Sequence, residues 1–264
     1  MSERSDDGVP WERLRTLTAA RIGLARRGAG LATPAVLEFR LAHARARDAV
    51  HDALDVEQLA RDVEALGLGL PALQAASRAA DRRTYLLRPD LGRRLDDDSA
   101  ARLATHRGAC DLVTVLADGL SATAVQAYAA PTLGAMLAPL AAAGWRLGPV
   151  VIASQGRVAL GDAIAAALGA GAVAILVGER PGLSAPHSLG AYATWRPGPA
   201  SSDADRNCVS NIRPEGIPPA TAGARLAWLL AAMRSRGLSG VALKDESDRP
   251  ALDDALGEAA NIPR

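Results

Sequence analysis

The sequence contains a single lysine, Lys244, among 264 residues, so nearly all of its positive charge is arginine. A phosphate loop ending in Gly-Lys-Ser/Thr cannot be built, because Asp245 follows Lys244. Only that one side chain could form a Schiff base. Cysteine is nearly absent too: Cys110 and Cys208 stand far apart, with no Cys-x-x-Cys or clustered Cys/His spacing to hold a structural zinc. Aromatics make up only 3% of residues, which argues against a stacking platform for single-stranded nucleic acid. Charge of one sign is lacking as well. Thirty basic against 29 acidic residues leave a net charge of +1, which excludes a general nucleic-acid or membrane footprint. No apolar run reaches the roughly 18 residues that cross a bilayer. The opening MSERSDDGVPWERLR is polar and acid-bearing, unlike a secretory or transit peptide. A bacterial-type cytosol with reduced thiols is the expected compartment.

The hydrophobic fraction of 49% is enough for a folded core. Residues 1 to about 10 read as a frayed tail. Trp11 to about Arg27 reads as a helix, with Leu14, Leu17, Ile22 and Leu24 as apolar contacts, ended by Gly28, Gly30 and Pro34. Residues 34–53 read as a second helix with Val36, Leu37, Phe39, Leu41, Ala44 and Val50 available for burial. Residues 56–66 and 71–80 read as further helices around the Gly67/Gly69/Pro71 punctuation, with no strand signal before Thr84-Tyr85-Leu86-Leu87.

From residue 110 the pattern changes. Leu112 to Ala117, Val150 to Ala153 and Ala172 to Val177 are short continuous apolar runs separated by helical segments, one reaching Ala143 and one spanning 160–168. Strands of this kind are buried on both faces, which predicts an α/β fold with a mostly parallel, Rossmann-like sheet and helices on both sides. Tyr192 to Trp195 reads as a later strand, and 219–236 as a helix capped by Gly237. The predicted organisation is a helical N-terminal region over 1–100, the α/β domain over 101–243 and an acidic tail over 244–264.

In such sheets ligands sit at the carboxyl ends of the strands. Three segments qualify: Asp118-Gly119-Leu120-Ser121, Ser154-Gln155-Gly156-Arg157-Val158 and Gly178-Glu179-Arg180-Pro181-Gly182. Each joins glycine to polar residues directly after an apolar run, though each is also an ordinary strand-to-helix turn. Gly169-x-Gly171-x-x-Ala174 precedes a strand, and Gly67-x-Gly69 lies between helices, so neither meets the dinucleotide fingerprint. His43, His51, His106 and His187 show no metal-ligand spacing, and no Gly-x-Ser-x-Gly elbow is present. Cys208 lies in the polar segment Asp205 to Ile212. The Arg82-Arg83 and Arg93-Arg94 pairs fit either a solvated or an interface role. The residues alone thus give a helical region, an α/β domain and a ligand edge, without a self-contained catalytic apparatus. A stand-alone nucleotide-binding enzyme and a non-catalytic scaffold both remain open.

Seven ordered motifs add a resemblance. Ala20-Arg21-Ile22-Gly23-Leu24, Leu41 to Val50 (LAHARARDAV), Leu87 to Leu95 (LRPDLGRRL), Ala117-Asp118-Gly119-Leu120-Ser121, Gly156-Arg157-Val158, Val177 to Leu183 (VGERPGL) and Asp205 to Arg213 (DRNCVSNIR) resemble the small (light) subunit of ethanolamine ammonia-lyase. The resemblance covers about residues 11–237. It implies an adenosylcobalamin-dependent radical enzyme that converts ethanolamine to acetaldehyde and ammonia. It further implies a barrel-shaped large (heavy) subunit that holds the substrate, and a small subunit that closes over the cobalamin at the interface. By motif, the small subunit's cobalamin contacts fall on Val158, Glu179 and Cys208, with Asp118, Arg157 and Asn207 as neighbours. No catalytic or metal-ligating residue is implied in this chain. No histidine has an aspartate two residues before it, so the lower axial ligand is expected to remain the cofactor's own benzimidazole. Residues 11–53 are expected to serve subunit contact or solubility. Packaging in a bacterial microcompartment is left open.

Overall fold

The computed structural model describes residues 10–18 and 20–247. The expected frayed start and most of the acidic tail lie outside the described residues. In chain order the elements are α1 (Trp11–Arg15), β1 (Arg26–Arg27), β2 (Gly30–Leu31), α2 (Thr33–His51), α3 (Val56–Glu64), β3 (Ala72–Ala76), α4 (Arg82–Leu87), α5 (Asp97–Ala104), β4 (Cys110–Ala117), α6 (Ala122–Ala142), β5 (Leu147–Ser154), α7 (Leu160–Leu168), β6 (Ala170–Gly178), β7 (Leu189–Trp195), β8 (Arg206–Ile212) and α8 (Pro219–Arg236).

Six strands form one mixed sheet in the order β3-β5-β4-β6-β7-β8. The first four run parallel, while β7 is antiparallel to β6 and β8 to β7. The period of two along each strand divides its side chains between two cores. Val113, Val115, Val173, Ile175 and Val177 pack with Leu160, Ile164 and Leu168 of α7 and Leu103 of α5. Leu112, Leu116, Ala172, Ala174 and Leu176 pack with α6 and α8, through Leu133, Met136, Leu226 and Leu230. Both faces are covered, which explains why these strands read as unbroken apolar runs. The expected α/β class, the strands from residue 110 onward, the helix over 160–168 and the Gly237 cap on α8 are all observed.

The first hundred residues depart from the sequence reading in three places. Residues 72–76, expected within a helix over 71–80, form an edge strand in parallel register with β5, from Ala72 opposite Val150 to Ala76 opposite Ser154. Ala-Leu-Gln-Ala-Ala favours helix locally, but the open edge of β5 supplies backbone partners, and tertiary pairing overrides the weak propensity. Thr84–Leu87, expected as a strand, lies in α4. The Asp81 carboxylate caps that helix by accepting from the Thr84 N–H at 2.7 Å. The helix expected from Trp11 to Arg27 stops at Arg15, and residues 26–31 form a two-stranded hairpin instead.

Helix α2 runs as expected, yet it buries only Ala49. Leu37 is 59% exposed, Phe39 45% and Leu41 52%. Leu37 and Leu41 share one face at i, i+4, and Phe39 lies on another. Of the apolar positions available for burial, these three therefore stand in solvent, while Val36, Ala44 and Val50 are half-buried.

On the other side of the molecule, Arg206 at the start of β8 holds Asp162 of α7 with two bonds, 2.7 and 2.6 Å, and its Nη1 also donates to the Thr194 hydroxyl at 3.2 Å. The two side chains are only 3% and 9% exposed. This bidentate pair ties α7 to the antiparallel strands. Removing Asp162 leaves the buried Arg206 with only the exposed Asp203 carboxylate, 3.4 Å from its Nε, so Asp162→Ala should cost about 3 kcal/mol in a urea melt, whereas Asp162→Leu combined with Arg206→Met should cost far less. A loss below about 1 kcal/mol, as for a surface pair, would contradict this role.

Candidate functional site

The carboxyl ends of β4, β5 and β6 converge, and the loops behind them interlock. The buried Asp118 carboxylate, just beyond β4, accepts from the Gly119 N–H at 2.9 Å and from the Gly156 N–H beyond β5 at 3.0 Å. Burial pushes its carboxyl up, while the backbone N–H groups of Gln155, Gly156 and Gly119 and the charge of Arg82 act the other way. Leu120 N–H donates to the Gly178 carbonyl at 2.8 Å, joining the first loop to the third. Gly119 has φ +56°, and a side chain there would meet the Gly178 carbonyl at 2.2 Å. Only glycine allows this crossing.

Arg82 of α4 binds the assembly from the side. Its Nε donates to the Val50 carbonyl at the end of α2, 2.6 Å away, and its Nη1 to the Gly119 carbonyl at 2.7 Å. It lies 3.7 Å from the Asp118 carboxylate. Its Nη2 is buried without a partner.

Above these loops opens a cleft of about 420 Å³, lined by Tyr85, Leu120, Arg157, Val158, Val177, Gly178, Glu179, Arg180 and Tyr192. Val158 and Glu179, two of the residues singled out in the sequence, thus share one cavity. Cys208 does not line it. It lies on β8 opposite Tyr192, whose hydroxyl donates to the Cys208 sulfur at the cleft's border. Arg157 lines the cleft, and Asp118 lies beneath it. Asn207 is directed elsewhere: its amide nitrogen donates to the Gly240 and Leu243 carbonyls and its oxygen accepts from the Gly240 N–H, which fixes the turn after α8. None of the four histidines lines the cleft.

Glu179 forms no ion pair with Arg180 or with any other described residue. Its Oε2 accepts instead from the Ser188 hydroxyl and, at 3.1 Å, from the Asn211 N–H. Oε1 passes over Gly190, where a Cβ would approach it to 2.8 Å. The carboxylate is thereby oriented through one oxygen, and the other keeps its acceptor capacity.

Two tyrosines were missed as site residues by sequence reasoning. Tyr85 is fully buried, donates to the Gly156 carbonyl at 3.2 Å, and lies under the guanidinium of Arg157 at 4.5 Å. Burial pushes its phenol up to about 12. Tyr192 is likewise raised by burial, and further by Cys208 and Glu179. Neither phenol can serve as a base near neutrality. Tyr85 had only a strand-like context in the sequence, and Tyr192 only an apolar one.

Over residues 8–244 the sequence matches the family profile described as ethanolamine ammonia-lyase light chain. The ethanolamine ammonia-lyase small subunit of Xanthomonas campestris pv. campestris (strain ATCC 33913) is 51% identical over 255 residues, covering 95% of this chain and 93% of that protein. The small subunit from Rhodopseudomonas palustris (strain BisA53) is 53% identical over 235 residues, 89% of each chain. The one from Azotobacter vinelandii (strain DJ) is 51% identical over 267 residues, 99% of this chain and 98% of that protein.

The environment of Cys208 makes a prediction. Cys208 is exposed, yet the strand around it partly desolvates its thiol; this and the negative charge of Glu179 raise its pKa, and the Tyr192 hydroxyl only partly offsets them. The thiolate is the reactive form. At pH 7 Cys208 should therefore alkylate with iodoacetamide more slowly than free cysteine, faster as pH rises, and more slowly still in Tyr192→Phe, followed by peptide mass spectrometry. Alkylation as fast as free cysteine would contradict the assignment.

Proposed function

Because the chain belongs to the ethanolamine ammonia-lyase small-subunit family, we propose that it is one half of a two-chain lyase. That lyase converts ethanolamine to acetaldehyde and ammonia, with adenosylcobalamin held between this chain and a large subunit. The observation that carries the reading is the cleft itself. Val158 and Glu179 meet in one open cavity at the parallel strand ends, with Cys208 at its border.

The residues fit such a ligand. Corrinoid side amides offer both N–H donors and carbonyl acceptors. The unspent Oε1 of Glu179 suits the donors, and backbone N–H groups of the loop that carries Val158 suit the acceptors. Val158 and Leu120 supply apolar contact. Arg82 Nη2 and Arg157 Nε are buried donors still lacking partners. A cleft of about 420 Å³ suits a ligand of drug size and covers only part of a cobalamin. The rest must be covered by another chain.

When bound, adenosylcobalamin would supply the radical that takes hydrogen from the substrate. This chain's residues bind and orient. Glu179 is held in place by Ser188 and Asn211, and the loop carrying Val158 is fixed through Gly156 by Asp118. Neither lining phenol is poised for proton transfer near neutrality, in keeping with substrate chemistry carried out in the partner chain. The solvent-exposed apolar residues of α2, Leu37, Phe39 and Leu41, are the surface we assign to that partner.

Ammonia release from ethanolamine with adenosylcobalamin should appear when the chain is co-expressed with the large subunit, and not with the purified chain alone. Turnover by this chain alone would overturn the two-chain reading. Within the complex, Glu179→Ala removes a charged acceptor worth about 1.5–3 kcal/mol. Cobalamin affinity should fall roughly 10- to 150-fold while the ethanolamine KM changes little. Glu179→Gln should lose less, since its amide oxygen still accepts. Unchanged cobalamin affinity with lowered thermal stability would make Glu179 a purely structural residue that serves Ser188 and Asn211.

A further inference from the structure

The charges of the cleft do not balance within the chain. Three ionised side chains line it: Arg157, Arg180 and Glu179. Neither arginine has a carboxylate within 4.0 Å among the described residues. Glu179 spends one oxygen on Ser188 and Asn211. The neighbouring Arg82, by contrast, is matched by Asp118.

Arg157 is also held in place. Its backbone N–H donates to the Gly92 carbonyl at 2.8 Å, its Nη2 donates to the Tyr85 carbonyl at 3.3 Å, and its guanidinium lies over the Tyr85 ring at 4.5 Å. Gly92 lies close beneath it, since a Cβ there would meet the Arg157 side chain at 2.9 Å. Nε is buried and unpartnered, and Nη1 makes no hydrogen bond among the described residues. A half-buried guanidinium fixed by stacking, with an idle donor and no counter-charge, is costly unless an anion completes it. Its planar fork matches a phosphate oxygen pair.

We propose that Arg157, backed by Tyr85 and assisted by Arg180, forms an anion subsite for a phosphodiester. This rests on the reading of the cleft as a corrinoid site. The side chains of the corrin ring are neutral amides, so the phosphodiester of the nucleotide loop is the one anionic group that such a ligand brings to the cleft. Glu179 and Arg157 then divide the ligand between them: Glu179 takes ring amides and Arg157 takes the nucleotide-loop charge.

The test is spectral titration of the assembled two-subunit complex with three probes: cyanocobalamin, cobinamide phosphate and dicyanocobinamide, of which the last lacks any phosphate. Arg157→Gln should weaken the two phosphate-bearing probes about 10- to 100-fold, the loss of one charge-assisted bond, and leave dicyanocobinamide unchanged. Arg157→Lys should restore part of the loss. Raising the salt concentration should weaken cyanocobalamin binding to the unmodified complex more than binding to the variant. If Arg157→Gln fails to assemble, Arg180→Gln carries the same comparison, because Arg180 is exposed and its side chain makes no hydrogen bond or ion pair among the described residues. Equal losses for all three probes, or no loss, would overturn the phosphodiester assignment while leaving the corrinoid site standing. Weakened subunit association with unchanged probe affinity would assign Arg157 to a carboxylate of the partner instead. Binding of none of the probes by the unmodified complex would overturn the corrinoid reading itself.

Discussion

The ligand edge depends on one buried carboxylate. Asp118 stands where β4 ends and accepts backbone N–H groups from its own loop and from the loop after β5. A carboxylate out of water is tolerated only when it is hydrogen-bonded and paired. Two glycine N–H groups and the Arg82 guanidinium meet that condition. Because Arg82 also holds the Gly119 carbonyl and the Val50 carbonyl in the last turn of α2, the same cluster fixes how that helix leaves the α/β body. The α2 surface that we assign to a partner and the cleft that we assign to a ligand are thus anchored to one pair of charges.

From that anchor the division of labour follows. The strands bring three loops together, and the loops leave backbone and small side chains at the surface, where a large ligand can approach. The polar side chains that remain are already positioned by the chain: Glu179 by Ser188 and Asn211, Arg157 by Tyr85, Cys208 by Tyr192. What is missing is a proton-transfer group poised near neutrality. These contacts hold and orient side chains, and in the two-chain reading we propose, the chemistry falls to the ligand and to the partner.

The α/β half was legible because its signal is physical and local. Strands buried on both faces need continuous apolar residues, and β4, β5 and β6 carry them. The position of the loops directly after those strands, where the structure opens a cleft, was legible for the same reason. The edge strand β3 was not, since Ala-Leu-Gln-Ala-Ala acquires its conformation from β5 and not from its own preferences. The exposure of Leu37, Phe39 and Leu41 was hidden too, because an apolar residue left in solvent looks the same in sequence as one that enters a core. Asn207 shows the converse: it sits inside a site-like motif, yet its amide is spent on the turn at residues 240–243. Tyr85, Arg82 and Tyr192 join the site only through contacts spanning tens of residues, which no local motif reveals.

The central claim is that the carboxyl edge of β4, β5 and β6 forms one wall of a corrinoid site completed by a second chain. The most direct measurement is a cryo-electron microscopy map of this chain assembled with its large subunit and cobalamin. Density for the corrin against Val158 and Glu179, with Cys208 at its border and the large subunit on the far side, is the predicted result. Corrin density remote from this edge, or a cleft filled by side chains of the partner, would contradict the account.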